Sequence, residues 1–184
     1  MANKVKFGLR NLYYAVATDD GTGTLTYGTP VRWPGAVSIA LDIEGSAEPF
    51  YADDIIYFIS QAMNGYSGTL EVALVPDAVR TDVFGETADT AGMIVERVTD
   101  MPKEVALMFE FQGDQNASRH CLYRCMLGKP GVNGQTMEGS KTPQTETLNV
   151  TAMPRINDYV VKAKCPSTSA NYADFFNEVK EPNL

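Results

Sequence analysis

Residues 48–68 read EPFYADDIIYFISQAMNGYSG, and they constrain the fold more than any other stretch. Two aspartates, Asp53 and Asp54, lead into Ile55-Ile56-Tyr57-Phe58-Ile59. Side chains alternate between the faces of a strand, so this run is apolar on both. A strand of that kind must be covered on both sides or must meet another chain. The glycines of Asn64-Gly65 and Tyr66-Ser67-Gly68 permit the positive φ of tight turns. The pattern therefore predicts a loop or arm over 48–54, a strand over 55–61, and a hairpin turn over 64–68 leading to a further strand over 69–75.

The rest of the chain reads mainly as short strands. Residues 37–44 (VSIALDIE) alternate with period two, placing Val37, Ile39, Leu41 and Ile43 on one face. Strands are also predicted over 12–18, 25–27, 93–98, 105–111, 118–127, 145–153 and 159–164. In 105–111 the residues Val105, Leu107, Phe109 and Phe111 share a face. One helix is predicted over 76–84, with Pro76 in its first turn, Asp77 at the positive end of its dipole and Gly85 just past its end. Residues 128–143 are rich in glycine and proline and predict an irregular connection. The tail 172–180 reads as a short terminal helix or a docking segment. Strands separated by turns, with one helix, predict a single mainly β domain, a β-sandwich or barrel flanked by that helix.

The formal net charge of -8 argues against tight nucleic-acid binding, which needs basic residues to neutralise phosphates. No apolar run approaches a membrane span, and no secretory leader or lipidation motif is apparent. The three cysteines, Cys121, Cys125 and Cys165, are an odd number and suit a reducing compartment.

Nothing assembles into a reactive site. His120 and Cys121 are strand neighbours and should face opposite ways. Cys121 and Cys125 should share a face about 13 Å apart, too far for a disulfide. They lack zinc spacing as well, so buried free thiols are expected. Asp19-Asp20 and Asp53-Asp54 read as solvated loop acids, since no matching ligands lie nearby. The glycine-rich segments lack the lysine and hydroxyl of a phosphate loop. No cofactor or metal is expected, and the chain reads as a non-enzyme.

PFYADDIIYFISQAMNGYSGTLEVALVPDAVRTDVFG resembles the core of the major tail proteins, or tail tube proteins, of siphophages and prophages of Gram-positive bacteria. NKVKFGLRNLYYAV, PGAVSIALDIEG, KEVALMFEFQGD, ASRHCLYRCMLGKP and PQTETLNVTAMP follow in the family's order and extend the likeness over most of residues 3–165. The resemblance implies a β-sandwich whose copies close into rings, typically hexameric. These rings stack into a hollow tail tube around the tape measure protein and conduct DNA at ejection without binding it specifically. It further implies contacts with tail terminator and distal tail proteins, assembly in the host bacterial cytoplasm, and residence in the virion tail. Loops and an N-terminal arm, here residues 1–11, would join one ring to the next.

Candidate contact loops are residues 44–56 and 128–143, with 166–184 as a C-terminal segment. The candidate contact residues are Phe50, Tyr51, Asp53, Asp54, Ile55, Tyr57, Tyr66, Lys129, Val132 and Met137. Open strand edges, usually a hazard, suit subunits that extend a sheet from copy to copy. Rival readings are a tail terminator or other ring component of a phage-like or secretion system. A carbohydrate-binding or hydrolytic sandwich is a third, for which the lone Trp33 offers little.

Overall fold

The computed structural model describes residues 3–136 and 143–182. In chain order the strands are Lys6–Asp19 (β1), Leu25–Tyr27 (β2), Val31–Arg32 (β3), Ala36–Glu44 (β4), Ala47–Ala52 (β5), Ile55–Gln61 (β6) and Gly65–Val72 (β7). The helix Asp77–Asp82 (α1) follows. Then come Thr87–Ala88 (β8), Ile94–Val95 (β9), Val105–Gly113 (β10), Ser118–Leu127 (β11), Glu146–Ala152 (β12) and Lys162–Cys165 (β13). The main sheet runs β2-β1-β10-β11-β12-β7-β4, with β3 added beside β1 and β13 beside β11. Among the described residues the fold is mainly β and sandwich-like, with antiparallel sheets, one short helix and no closed barrel.

Its principal core joins one face of the main sheet to α1. Leu12, Tyr14 and Trp33 meet Leu70, Val72, Leu107, Leu122, Leu148 and Val150, and α1 and its exit add Val79, Val83 and Phe84. The helix is too short to persist alone, so this packing holds it. The Tyr14 hydroxyl also donates to Asp82 Oδ2 at 3.0 Å. α1 is shorter than the helix expected over 76–84, with Pro76 as its N-cap and Val83 as its C-cap. Gly85 lies two residues beyond with φ +74, and a Cβ there would come within 2.9 Å of the Met101 carbonyl oxygen.

The opposite face of β1, β10 and β11 is buried too. Ala15, Ala106, Met108, Cys121 and Tyr123 pack against Phe175, with Tyr172 and Phe176 alongside. Residues 166–182 are therefore a docking segment built of turns rather than a helix. Arg119 fastens it: the guanidinium lies 3.9 Å over the Tyr172 ring and donates to the Tyr172 carbonyl. Arg119 is itself held by Glu110 at 2.8 Å, and Arg10 reaches the same carboxylate at 2.6 Å. Burial would raise the Glu110 carboxyl, but hydrogen bonds and charge from Arg119 and Arg10 prevail and hold it below the usual range.

The chief departure from the sequence-based expectation concerns the hairpin. β4 pairs with β7 from Ala36↔Val72 to Glu44↔Gly65, and β5 with β6 from Ala47↔Gln61 to Ala52↔Ile55. At the joint, Ala62 N donates to Ser46 O at 3.0 Å and Asn64 N to Glu44 O at 2.7 Å. The result is one long ribbon whose tip is Asp53-Asp54, not Asn64-Gly65. Both aspartates have positive φ, 52° and 60°, as the favoured two-residue hairpin turn requires. Residues 44–56 are thus strand and tip rather than a loop. Gly68 sits inside β7, where a Cβ would come within 1.9 Å of the Ala40 carbonyl oxygen. Close backbone approach, not turn formation, requires glycine there.

Other expectations shift by smaller amounts. A register shift between Ala36 and Ser38 leaves Val37 exposed, while Ile39 and Leu41 remain against the core. β7 stops at Val72, so Leu74 is exposed and Val75 takes the buried place. Most of the expected N-terminal arm belongs to the sheet, since Lys6 to Arg10 pair with β10. Of the strand expected over 93–98, only Ile94–Val95 forms.

Candidate assembly surface

The distal ribbon of β5 and β6 carries the least explained chemistry in the molecule. Nine of the twenty exposed large hydrophobic residues among those described fall within residues 43–63. Tyr57 is 70% exposed, and Phe50, Tyr51, Ile55 and Phe58 are each 61–62% exposed. Among the described residues β5 and β6 pair only with each other, leaving both outer edges open and both faces apolar. An isolated two-stranded ribbon is marginal in water, and open apolar edges are aggregation-prone unless something covers them. Phe50, Tyr51, Asp53, Asp54, Ile55 and Tyr57 are thereby brought together at one projecting end.

The other proposed contact residues lie elsewhere. Tyr66 is half-buried near the base of the ribbon, with Lys162 Nζ 4.5 Å above its ring. Lys129 is occupied within its own chain, 2.9 Å from Glu96, 3.7 Å from Glu86 and 3.9 Å from Asp100. Val132 is fully exposed in an irregular stretch. Met137 lies outside the described residues.

At the ribbon's base a groove of about 490 Å³ opens between β4, β10, β11, β13 and the N-terminal segment. Its floor is apolar, with Ile39, Leu41, Phe109, Phe111 and Leu122. Its rim carries Lys4, Lys6, Lys162 and Lys164, and among the described residues no carboxylate lines it. Lys6 Nζ lies 4.8 Å over the Phe111 ring, and His120 stacks on Phe109 at 5.5 Å. Burial, then the charges of Lys162, Lys164 and Lys6, push the His120 imidazole down to about 4. The ring is therefore neutral near pH 7, and the groove's positive charge comes from its lysines.

The features considered for catalysis are dispersed. His120 faces this groove while Cys121 is sealed on the opposite side of β11, as strand alternation predicts. Cys121 and Cys125 do not share a face, contrary to expectation. A register shift opposite Val105 and Leu107 turns Cys125 into the principal core, and all three cysteines are free and buried. Burial pushes the Cys121 and Cys125 thiols up, away from the reactive thiolate. Asp19 and Asp20 spend their carboxylates on turn amides: Asp19 accepts from Gly21 at 2.8 Å and Asp20 from Thr22 at 2.7 Å. Trp33 is buried and donates its indole N–H to the Leu74 carbonyl at 3.2 Å, so it offers no platform for a sugar. Among the described residues no group of three or more His, Cys, Asp or Glu side chains is placed to hold a metal ion.

The lysine rim was not anticipated from the sequence. The signal was present as two lysine pairs at period two, Lys4/Lys6 in NKVKF and Lys162/Lys164 in VKAKC, each presenting its charges on one side of an extended segment. No family profile matches this chain, and no curated protein matches it.

Proposed function

We propose that this protein is a structural, self-assembling subunit, the major tail protein from which a siphophage-type tail tube is built, and not an enzyme. Copies close into rings, typically of six, and the rings stack around the tape measure protein to form the conduit for DNA. The projecting ribbon carries this reading: a two-stranded arm apolar on both faces, with open edges, on a molecule with an otherwise well-formed core. A surface of that kind is the mark of an interface awaiting a partner. The family resemblance of residues 3–165 supplies the specific form of the assembly. The net charge of -8 supports a conduit that DNA passes without sticking.

Negative-stain electron microscopy of the purified protein, with and without co-expressed tape measure protein, tests the proposal. Hollow tubes of uniform diameter are expected. Discrete single rings would instead favour a terminator or other ring component, and monomers at every concentration would overturn self-assembly altogether.

A further inference from the structure

The ribbon's two ends are chemically opposite. Residues 36–72 contain six carboxylates, Asp42, Glu44, Glu48, Asp53, Asp54 and Glu71, and no lysine or arginine. Among the described residues the groove at the base has four lysines and no carboxylate. None of these four lysine side chains forms an ion pair among the described residues. Lys6 and Lys162 lie over the Phe111 and Tyr66 rings, but none of the four has its charge neutralised by a carboxylate among the described residues, in a chain of net charge -8.

We infer that this groove receives the arm tip of a second copy, with Asp53 and Asp54 against the lysine rim and the flanking aromatic and aliphatic side chains on the apolar floor. The inference rests on the reading that copies assemble, and it names which two surfaces meet. Three observations favour this occupant. Charge and apolarity match together, since the tip combines two carboxylates with Tyr51, Ile55 and Tyr57 on adjacent positions. The volume of about 490 Å³ falls in the roughly 300–1,000 Å³ range of pockets that enclose a small ligand or a few side chains. The arm cannot fill its own groove, because Asp53 at the tip lies twelve residue steps along a largely extended chain from Leu41 at the groove, about 40 Å at ~3.3 Å per step.

A tip-to-base contact joins different surfaces of two copies, so it propagates, either closing a ring or extending a stack. A nucleic acid is the poorer occupant. The floor is apolar, and phosphates set against hydrocarbon would lose their hydration without a hydrogen-bonding replacement.

The test is intermolecular cross-linking of the full chain. Benzoylphenylalanine replaces Tyr51, and equal parts of light and ¹⁵N-labelled protein are mixed, assembled and irradiated. Isotopically mixed cross-links to residues 3–6, 118–122 or 162–164 are expected. Lys162→Glu/Lys164→Glu and, separately, Asp53→Asn/Asp54→Asn should each raise the concentration needed for assembly about tenfold, the scale of losing two exposed ion pairs. Asparagine tolerates the positive φ of the tip, so the turn is kept. Circular dichroism spectra and melts matching wild type will confirm that both variants fold. Tubes whose cross-links lie elsewhere overturn the groove assignment and leave the tube reading intact. Groove cross-links within small closed oligomers support the assignment and overturn the tube. Absence of any assembly overturns both. Groove variants that assemble normally but lose binding to a duplex oligonucleotide would reassign the lysines to nucleic acid.

Discussion

Replacing Tyr57 by serine separates the two roles a hydrophobic residue can have here. Tyr57 is 70% exposed. With about 200 Å² for a whole tyrosine side chain, roughly 140 Å² stands in water in the isolated subunit. Covering that area in an assembly contributes about 3.5 kcal/mol at ~25 cal/mol per Å². After the cost of ordering the side chain, about 2–3 kcal/mol of contact energy should vanish with the ring. That corresponds to a roughly 30- to 140-fold rise in the concentration at which light scattering and sedimentation first detect polymer. The stability of the monomer should change by no more than about 0.5 kcal/mol in urea titration, as for other surface substitutions. Leu70→Ala is the contrast: Leu70 is fully buried, so it should lose about 2–5 kcal/mol of monomer stability. A Tyr57→Ser protein that unfolds far more readily yet polymerises normally would refute the reasoning, because the arm would then be core and not contact.

Glu110→Gln should cost about 2–3 kcal/mol, less than a fully buried pair because Arg10 is half-exposed, by leaving Arg119 uncompensated. Residues 166–182, which Arg119 fastens, should become sensitive to limited proteolysis in that variant. The Glu110 carboxyl is held low in the folded state, so its contribution is full above the unfolded glutamate value of about 4.3 and fades as pH falls through the lower folded value. Acid titration should therefore show a weaker loss of stability below about pH 4.3 in Glu110→Gln than in wild type; identical acid limbs would exclude this role. Gly68→Ala should destabilise by about 1–3 kcal/mol, because its Cβ meets the Ala40 backbone. Gly8→Ala, where a Cβ meets nothing within 4 Å, should stay near neutral in the same urea titration.

Period-two alternation made the strands legible, and the helix was legible from Pro76, Asp77 and Gly85. What misled was glycine. Asn64-Gly65 carries the strongest turn signal in its region, yet Asp53-Asp54 makes the turn. Gly65 does take a positive φ of 144° but inside β7, and both it and Gly68 sit where a Cβ would meet a neighbouring carbonyl oxygen. Glycine relieves both positive φ and steric crowding, and a single sequence does not distinguish the two needs. The facing of Cys125 was lost for a related reason: a register shift changes which residues look inward without altering local composition. The groove was illegible because its walls come from residues 3–6, 39–41, 66, 109–111, 118–122 and 162–164, which only the sheet order brings together.

The charge pattern of the arm bears on a problem that its apolar faces create. Two such arms would pair readily with each other, edge to edge, and trap subunits in disordered aggregates. Each distal arm carries Glu44, Glu48, Asp53 and Asp54 with no basic residue. Arm-to-arm pairing would therefore gather eight like charges about a dry interface, which is costly in proportion to how well it excludes water. Docking at the lysine rim instead turns the tip carboxylates of Asp53 and Asp54 from repulsive to attractive. Apolar area supplies the strength of the contact and charge selects which surface receives it, so raising salt should weaken that selection before it weakens adhesion. Ordered tubes at low salt giving way to irregular aggregates at high salt is the behaviour this division of labour requires.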